Sequence, residues 1–222
     1  MSTVRPAEGS TAIRRVVPWD IMTAGVDVET VLRERFGFSG FRPGQRELVE
    51  TVLGGRDALG ILPTGGGKSL TYQLPATLLD GLTVVVSPLI ALMKDQVDAF
   101  NRRGVGRAVA IHSNLAPGAA RAALEQARTG AARLLYLAPE PWRRRSGAAA
   151  CARQRRVCSS STRPSVSQWG YDFRPAYLAL RDVAERVRPC AVLALTATAT
   201  SAVREDVARQ LGLRDPFVFV AP

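Results

Sequence analysis

The sequence predicts an α/β fold: a parallel sheet covered by helices on both faces. Three observations point there. Short apolar runs without polar alternation, among them Thr83 to Val86, Leu134 to Leu137 and Cys190 to Leu195, have the composition of strands buried on both sides. Segments with apolar residues three and four apart lie between those runs, so strand and helix alternate along the chain. A glycine-rich turn, Gly65-Gly66-Gly67, separates one such strand from the helix that follows it.

The chain has 222 residues, enough for one large domain or two small ones with a self-sufficient core. Hydrophobic residues make up 46% and the mean hydropathy is +0.02, as in soluble globular proteins. No apolar run reaches the roughly 18 residues of a membrane span, and the first 25 residues lack the apolar core of a secretory signal, so a cytoplasmic location is expected. Cys151, Cys158 and Cys190 match no zinc or disulfide spacing and read as plain thiols, with no zinc. His112, the only histidine, has no partner at ligand spacing and reads as structural.

The elements follow in order. Residues 1–25 mix Pro, Gly, Ser and Thr without periodicity and read as a loose N-terminal extension; residues 26–222 form the ordered unit. Val31, Leu32 and Phe36 mark a first helix, and Gln45 to Leu53 a second, entered through Pro43. Asp57 to Leu62 is an apolar strand stopped by Pro63, and Lys68 to Leu79 is helical. The β-branched run Thr83 to Val86 ends at Ser87-Pro88, before a helix through Ile90, Met93 and Val97. Val109 to Ile111 and Leu134 to Leu137 are strands flanking an Ala-rich helix. Cys190 to Leu195, a helix from Val203 to Leu211, and Phe217 to Val220 close the series.

The chemistry begins after Leu62. A strand, a glycine-rich loop and a helix in succession aim backbone N–H groups into one concavity, where the helix N-terminus adds roughly half a positive charge. Three glycines let the main chain wrap phosphate without side-chain obstruction. In Thr64-Gly65-Gly66-Gly67-Lys68-Ser69, Lys68 would reach the β- and γ-phosphates of ATP and Ser69 would ligate Mg²⁺. Leu62 stands where the general phosphate-loop motif has its first glycine.

Leu62 to Leu70, followed by Tyr72-Gln73-Leu74-Pro75, resembles motif I of RecQ-type DNA helicases. Phe41-Arg42-Pro43-Gly44-Gln45 resembles that family's motif 0, which implies adenine hydrogen-bonded by Gln45 and packed by Phe38 and Arg42. Ser87 to Gln96 matches motif Ia and Ala138-Pro139-Glu140 the next DNA-side motif. Ser167 to Pro175 matches the aromatic-rich loop that couples DNA contact to hydrolysis, and Thr196-Ala197-Thr198 matches motif III. The resemblance implies a RecA-like P-loop domain binding ATP and Mg²⁺. It also implies a DNA partner, single-stranded or forked, and a role in DNA repair and recombination at a bacterial-type nucleoid. It assigns Ser87, Lys94, Gln96, Trp169, Phe173, Arg174, Thr196 and Thr198 to DNA binding and coupling.

Taken alone, several of these residues have simpler readings. Trp169 and Phe173, four apart, also suit the core face of a helix; with Gln168, Gly170, Asp172 and Arg174 around them they suit a loop that stacks on bases. Thr196 and Thr198 also suit the end of a strand, and Lys94 a solvated helix face.

The series breaks once. In the family, the magnesium-binding and hydrolytic carboxylates form D-E-A-H just before the aromatic-rich loop; here those places hold Ser161, Thr162, Arg163 and Pro164. No carboxylate occurs between Pro141 and Tyr171, and residues 141–164 lack a strand signal where the fold requires a buried strand, so a sheet disrupted at that strand is expected. Encoding Cys158 to Pro164 as TGC TCG TCG TCG ACG AGG CCC and shifting the frame yields Leu-Val-Val-Asp-Glu-Ala. Residues 141–164 therefore read as translated out of frame, with the frame restored near Ser165; a family-specific insertion or divergent loop is the alternative reading. The segment also holds seven arginines and no acid; without it the formal charge of +11 falls by seven to +4. The basic pI of 10.8 is mostly local, and nucleic-acid binding rests on the motifs rather than on net charge.

The family also closes a second lobe over ATP with an arginine; here Val220-Ala221-Pro222 follows a single lobe, with no four-cysteine zinc module. Two readings result: a DNA-dependent ATPase and 3′-to-5′ helicase present as a truncated copy, or a nucleotide- and DNA-binding module without turnover. A P-loop kinase would leave Gln45 and Ser167 to Pro175 unexplained.

Overall fold

The computed structural model describes residues 27–87, 89–138, 158–161 (backbone only) and 190–222. Helix α1 (Val28–Phe36) begins at Asp27, whose carboxylate accepts the Glu29 amide at 3.0 Å and the Thr30 hydroxyl at 2.6 Å. It ends at Gly37, whose φ of 73° turns the chain out of the helix. Helix α2 (Gln45–Leu53) follows a turn at Gly44, φ 78°, pressed so closely against Phe219 that a Cβ there would lie 2.1 Å from the ring. After it come β1 (Ala58–Ile61), α3 (Leu70–Leu78), β2 (Thr83–Val86), α4 (Ile90–Arg102), β3 (Ala108–Ile111), α5 (Pro117–Thr129) and β4 (Leu134–Leu137). Strands β5 (Cys158–Ser161) and β6 (Val192–Thr196), helix α6 (Ser201–Gln210) and strand β7 (Phe217–Val220) complete the described elements.

Among the described residues all strand pairs are parallel, in the order β3-β4-β2-β5-β6-β1-β7. Side chains alternate between two cores. Ala58, Val85, Leu134, Tyr136, Leu193 and Leu195 pack under the faces of α1 to α4 that carry Leu32, Leu48, Leu74 and Phe100. Leu59, Ile61, Val84, Val86, Leu135 and Leu137 face Ala123 and Ala127 of α5 and Val207 of α6. Strands β1, β2, β4 and β6 are buried on both faces, which is why they read as unbroken apolar runs, whereas β7 leaves Val218 and Val220 exposed.

The expected disruption of the sheet is corrected here. Cys158–Ser161 forms β5 between β2 and β6, with Val84 opposite Cys158 on one side and Ser161 opposite Leu195 on the other. Strand pairing is made by backbone N–H and C=O groups, which serine and cysteine supply as well as valine does. The residue types carry little strand propensity, and two flanking strands supply the partners instead.

Asp57, 3% exposed, joins three strands at their amino ends. Its carboxylate accepts the amides of Val192 at 2.8 Å and Arg214 at 2.7 Å, and its carbonyl accepts the Phe217 amide at 2.9 Å.

Candidate nucleotide-binding site

The carboxyl ends of β1, β2 and β6 lead into the predicted residues Thr64 to Ser69, Ser87 and Thr196 at one end of the sheet, where ligands bind in open α/β folds. Beyond β1, residues Leu62 to Ser69 turn into α3. Gly65 and Gly67 adopt φ of 82° and 75°, a left-handed backbone that glycine tolerates best. Among the described residues, no acceptor takes the amide N–H of Gly65, Gly67 or Ser69. No side chain caps α3. These loop amides are donors suited to phosphate oxygens, whereas the first-turn amides of Leu70, Thr71 and Tyr72 donate to the carbonyls of Gly67, Lys68 and Ser69. The Lys68 ammonium donates to the carbonyls of Leu62 and Pro63, both at 2.9 Å, so it lies folded against its own loop.

The motif 0 residues close over that loop. The Gln45 amide group donates to the carbonyls of Gly66 at 3.2 Å and Gly67 at 3.1 Å, while its oxygen accepts the Arg42 amide at 2.8 Å. The Arg42 guanidinium donates to the Gly65 carbonyl. Gln45, expected from resemblance to read adenine, thus spends its carboxamide on the phosphate loop. A Cβ at Gly67 would lie 2.2 Å from Gln45 Nε2. Gly67→Ala should therefore push Gln45 aside and strain the loop, weakening ATP affinity at least about tenfold, or about 1.4 kcal/mol. Calorimetric titration checks it; unchanged affinity would exclude a part for this contact in binding.

A cavity of about 300 Å³ opens beside the loop. Its lining includes Phe38, Arg42, Gln45, Gly65, Gly67 and Ser69 of the predicted residues, but not Thr64, Gly66 or Lys68, together with Gln73, Gln96 and Arg103. Gln96, expected on the DNA side, stands in this wall and accepts a hydrogen bond from Gln73 Nε2 at 3.0 Å. Gln73 also donates to the Tyr136 hydroxyl at 3.3 Å, and the Tyr72 and Tyr136 rings meet edge to face at 6.3 Å. Burial pushes both tyrosine hydroxyls above their usual range, so they stay protonated donors. Gln73 and Arg103 were missed from sequence because each needs a neighbour from another helix to define its role. Gln73 did carry one signal, its position four residues after Ser69 on the same helix face.

The remaining predicted residues are placed as follows. Thr64 is exposed at the loop's tip. Ser87 is buried at the end of β2 with its amide on the Leu137 carbonyl at 3.0 Å, and Lys94 is exposed on α4. Thr196 ends β6 beside the loop: its carbonyl accepts the Leu62 amide at 3.0 Å and its hydroxyl donates to the Thr198 carbonyl at 3.2 Å. Trp169, Phe173 and Arg174 lie outside the described residues, as do Pro88, Pro139 and Glu140. Ser161 ends β5 at the same sheet edge, one strand from β6. His112 Nδ1 is buried with no hydrogen-bond partner among the described residues.

A parallel sheet with a phosphate loop at the carboxyl end of β1, overlaid by a glutamine from the preceding helix, defines a RecA-like nucleotide-binding lobe of helicase type. Comparison with known proteins agrees. The DEAD/DEAH box helicase family model matches residues 42–160, more than half of the sequence, and the chain belongs to that family. It is 39% identical over 191 residues to the probable ATP-dependent DNA helicase RecS of Bacillus subtilis, covering 84% of this chain and 38% of that protein. To the ATP-dependent DNA helicase RecQ of Haemophilus influenzae it is 39% identical over 188 residues, covering 84% and 30%. The chain therefore spans well under half the length of these relatives. Among solved structures, a hypothetical ATP-dependent RNA helicase from Sulfolobus tokodaii matches with a TM-score of 0.66 at 16% identity, over 87% of this chain and 56% of that one. The DUF1998 helicase MrfA matches with a TM-score of 0.67 at 15% identity, over 89% and 33%. At such identities the likeness speaks for the fold alone. No helix among the described residues is long and apolar enough to cross a membrane.

Proposed function

We propose that this chain is the nucleotide-binding lobe of a RecQ-type, ATP-dependent 3′-to-5′ DNA helicase serving DNA repair and recombination, and that in this sequence it binds ATP and DNA with little or no turnover. The observation that carries the reading is the clamp of Gln45 and Arg42 on the carbonyls of Gly65, Gly66 and Gly67, which ties the motif 0 segment to the phosphate loop at one cavity.

The loop amides, the α3 terminus and Lys68 would hold the triphosphate, and the cavity beside Phe38 and Arg42 would hold the base. Lys68 must exchange its two carbonyl partners for phosphate oxygens, a charge-assisted and stronger bond. Ser69 offers Mg²⁺ one oxygen, and the family's acidic partner is replaced by Ser161, so the metal would enter mainly on the phosphates. Single-stranded DNA would cross the same edge through Ser87, Lys94, Thr196 and Thr198, with Trp169, Phe173 and Arg174 in the coupling loop.

Lys68→Ala is expected to weaken ATP binding by about 10²-fold, since it removes the one ammonium group aimed at the loop. Equilibrium dialysis with labelled ATP and Mg²⁺ measures this. The parent chain should show no single-stranded-DNA-stimulated hydrolysis above the rate of its Lys68→Ala variant. Rapid DNA-stimulated turnover abolished by Lys68→Ala would overturn the inactive reading and favour a working ATPase.

A further inference from the structure

One face of α4 contributes to the cavity lining: Gln96, Ala99 and, just past the helix end, Arg103, spaced three and four apart. The Arg103 guanidinium stands 5.9 Å from the ring centroids of both Phe36 and Phe38. Phe36 is buried as the last residue of α1, whereas Phe38 follows the Gly37 turn and leaves 43% of its surface exposed at the cavity. No described carboxylate forms an ion pair with Arg103. Its charge therefore has the two aromatic faces as its partners, an arrangement favoured by the negative potential above a ring.

We propose that Arg103 is a positioning residue for the nucleotide base: by bridging Phe36 and Phe38 it fixes the exposed Phe38 ring as a stacking surface, and so sets how strongly the cavity prefers a purine nucleotide to a bare polyphosphate. This rests on the reading of the cavity as a nucleotide site. It reaches beyond the motif residues, because Arg103 lies in none of the matched motif blocks. A flexible ring that must be ordered on binding costs conformational entropy, and a ring held beforehand does not. Arg103 is set over Phe38, whereas Lys68 is bonded to the carbonyls of Leu62 and Pro63, so contacts to phosphate are expected to be unaffected.

The test uses the full chain and its Arg103→Ala, Arg103→Lys, Phe38→Ala and Arg103→Ala/Phe38→Ala variants. Each is titrated with Mg²⁺-ATP, Mg²⁺-CTP and Mg²⁺-tripolyphosphate, with thermal melting as the control for folding. Arg103→Ala should weaken ATP binding about 3- to 10-fold, narrow the ATP-to-CTP ratio, and leave tripolyphosphate affinity and melting temperature unchanged. Arg103→Lys should recover part of the loss. The double variant should bind ATP no worse than Phe38→Ala alone, because the arginine acts through the ring. Equal losses for ATP and tripolyphosphate, additive losses in the double variant, or ATP affinity indifferent to Arg103 would each overturn the proposal while leaving the nucleotide site standing. A parent chain that binds tripolyphosphate as tightly as ATP would overturn both.

Discussion

Replacing Ser161 and Thr162 together by Asp and Glu is expected to raise ATP hydrolysis by at least about 10²-fold, the usual worth of a positioned general base. Phosphoryl transfer to water needs three things from the protein: charge around the transferring group, a held metal and a group that orients the attacking water. In the proposed reading the loop amides and Lys68 would supply the first. The other two call for carboxylates at the carboxyl edge of the central strand. The backbone of β5 sets Ser161 opposite Leu195, and the next residue on β6, Thr196, accepts the Leu62 amide at the neck of the loop. Position 161 therefore ends β5 on the sheet edge where Thr196 meets the loop. Single-turnover hydrolysis with and without Lys68→Ala measures the gain and shows whether it arises at this site. Rates that stay at the parent level would mean that β5 does not deliver its end to the loop.

The reading of residues 141–164 as out of frame has a sharper form of the same experiment. A chain carrying Leu-Val-Val-Asp-Glu-Ala across β5 and the two residues after it should hydrolyse ATP faster still. It should also be more stable, because branched apolar side chains replace serines in a strand with neighbours on both sides. The coding DNA decides the origin of the segment: a D-E-A reading in an alternative frame supports it, and its absence refutes it.

Asp57→Ala is expected to destabilise the fold by about 2–4 kcal/mol, a large share of the ~5–15 kcal/mol that a domain of this kind possesses. The side chain is almost fully buried and accepts two backbone amides, from Val192 and Arg214, that have separate places in the sheet and in the approach to β7. Alanine removes the side-chain acceptor from the buried Val192 amide and the part-buried Arg214 amide, and the desolvation left at Val192 is the main cost. Asp57→Asn keeps one acceptor and should lose about half as much. Urea unfolding followed by circular dichroism reads the difference. A loss under about 1 kcal/mol for alanine would show that water reaches these amides.

Asp57 also illustrates what sequence reasoning could see. An aspartate just before an apolar run was visible as the start of a strand, but nothing local indicated that its partners lay 135 and 157 residues away. Gln45 is similar. Its place in motif 0 was plain, and the resemblance assigned it to adenine. The contact with Gly66 and Gly67 depends on α2 and the loop meeting in space, and on Gly67 having no Cβ. Gln96 belongs to a motif that the resemblance places beside DNA, yet the turn of α4 directs it into the cavity beside the loop, toward Gln73.

By itself the sequence determined the alternation of strand and helix, the strand-loop-helix at Leu62 to Leu70, and the absence of carboxylates from Pro141 to Tyr171. These are local properties: side-chain burial patterns, glycine's tolerance of positive φ, and residue identity. Tertiary structure decided that the Cys-Ser run is a central strand, that Gln45 clamps the phosphate loop, and that Arg103 lies over Phe38. Each of those depends on segments distant in the chain. Backbone pairing accepts almost any side chain once both flanking strands are in place, and a long side chain's partner is set by which helices pack together, which no window of neighbouring residues encodes.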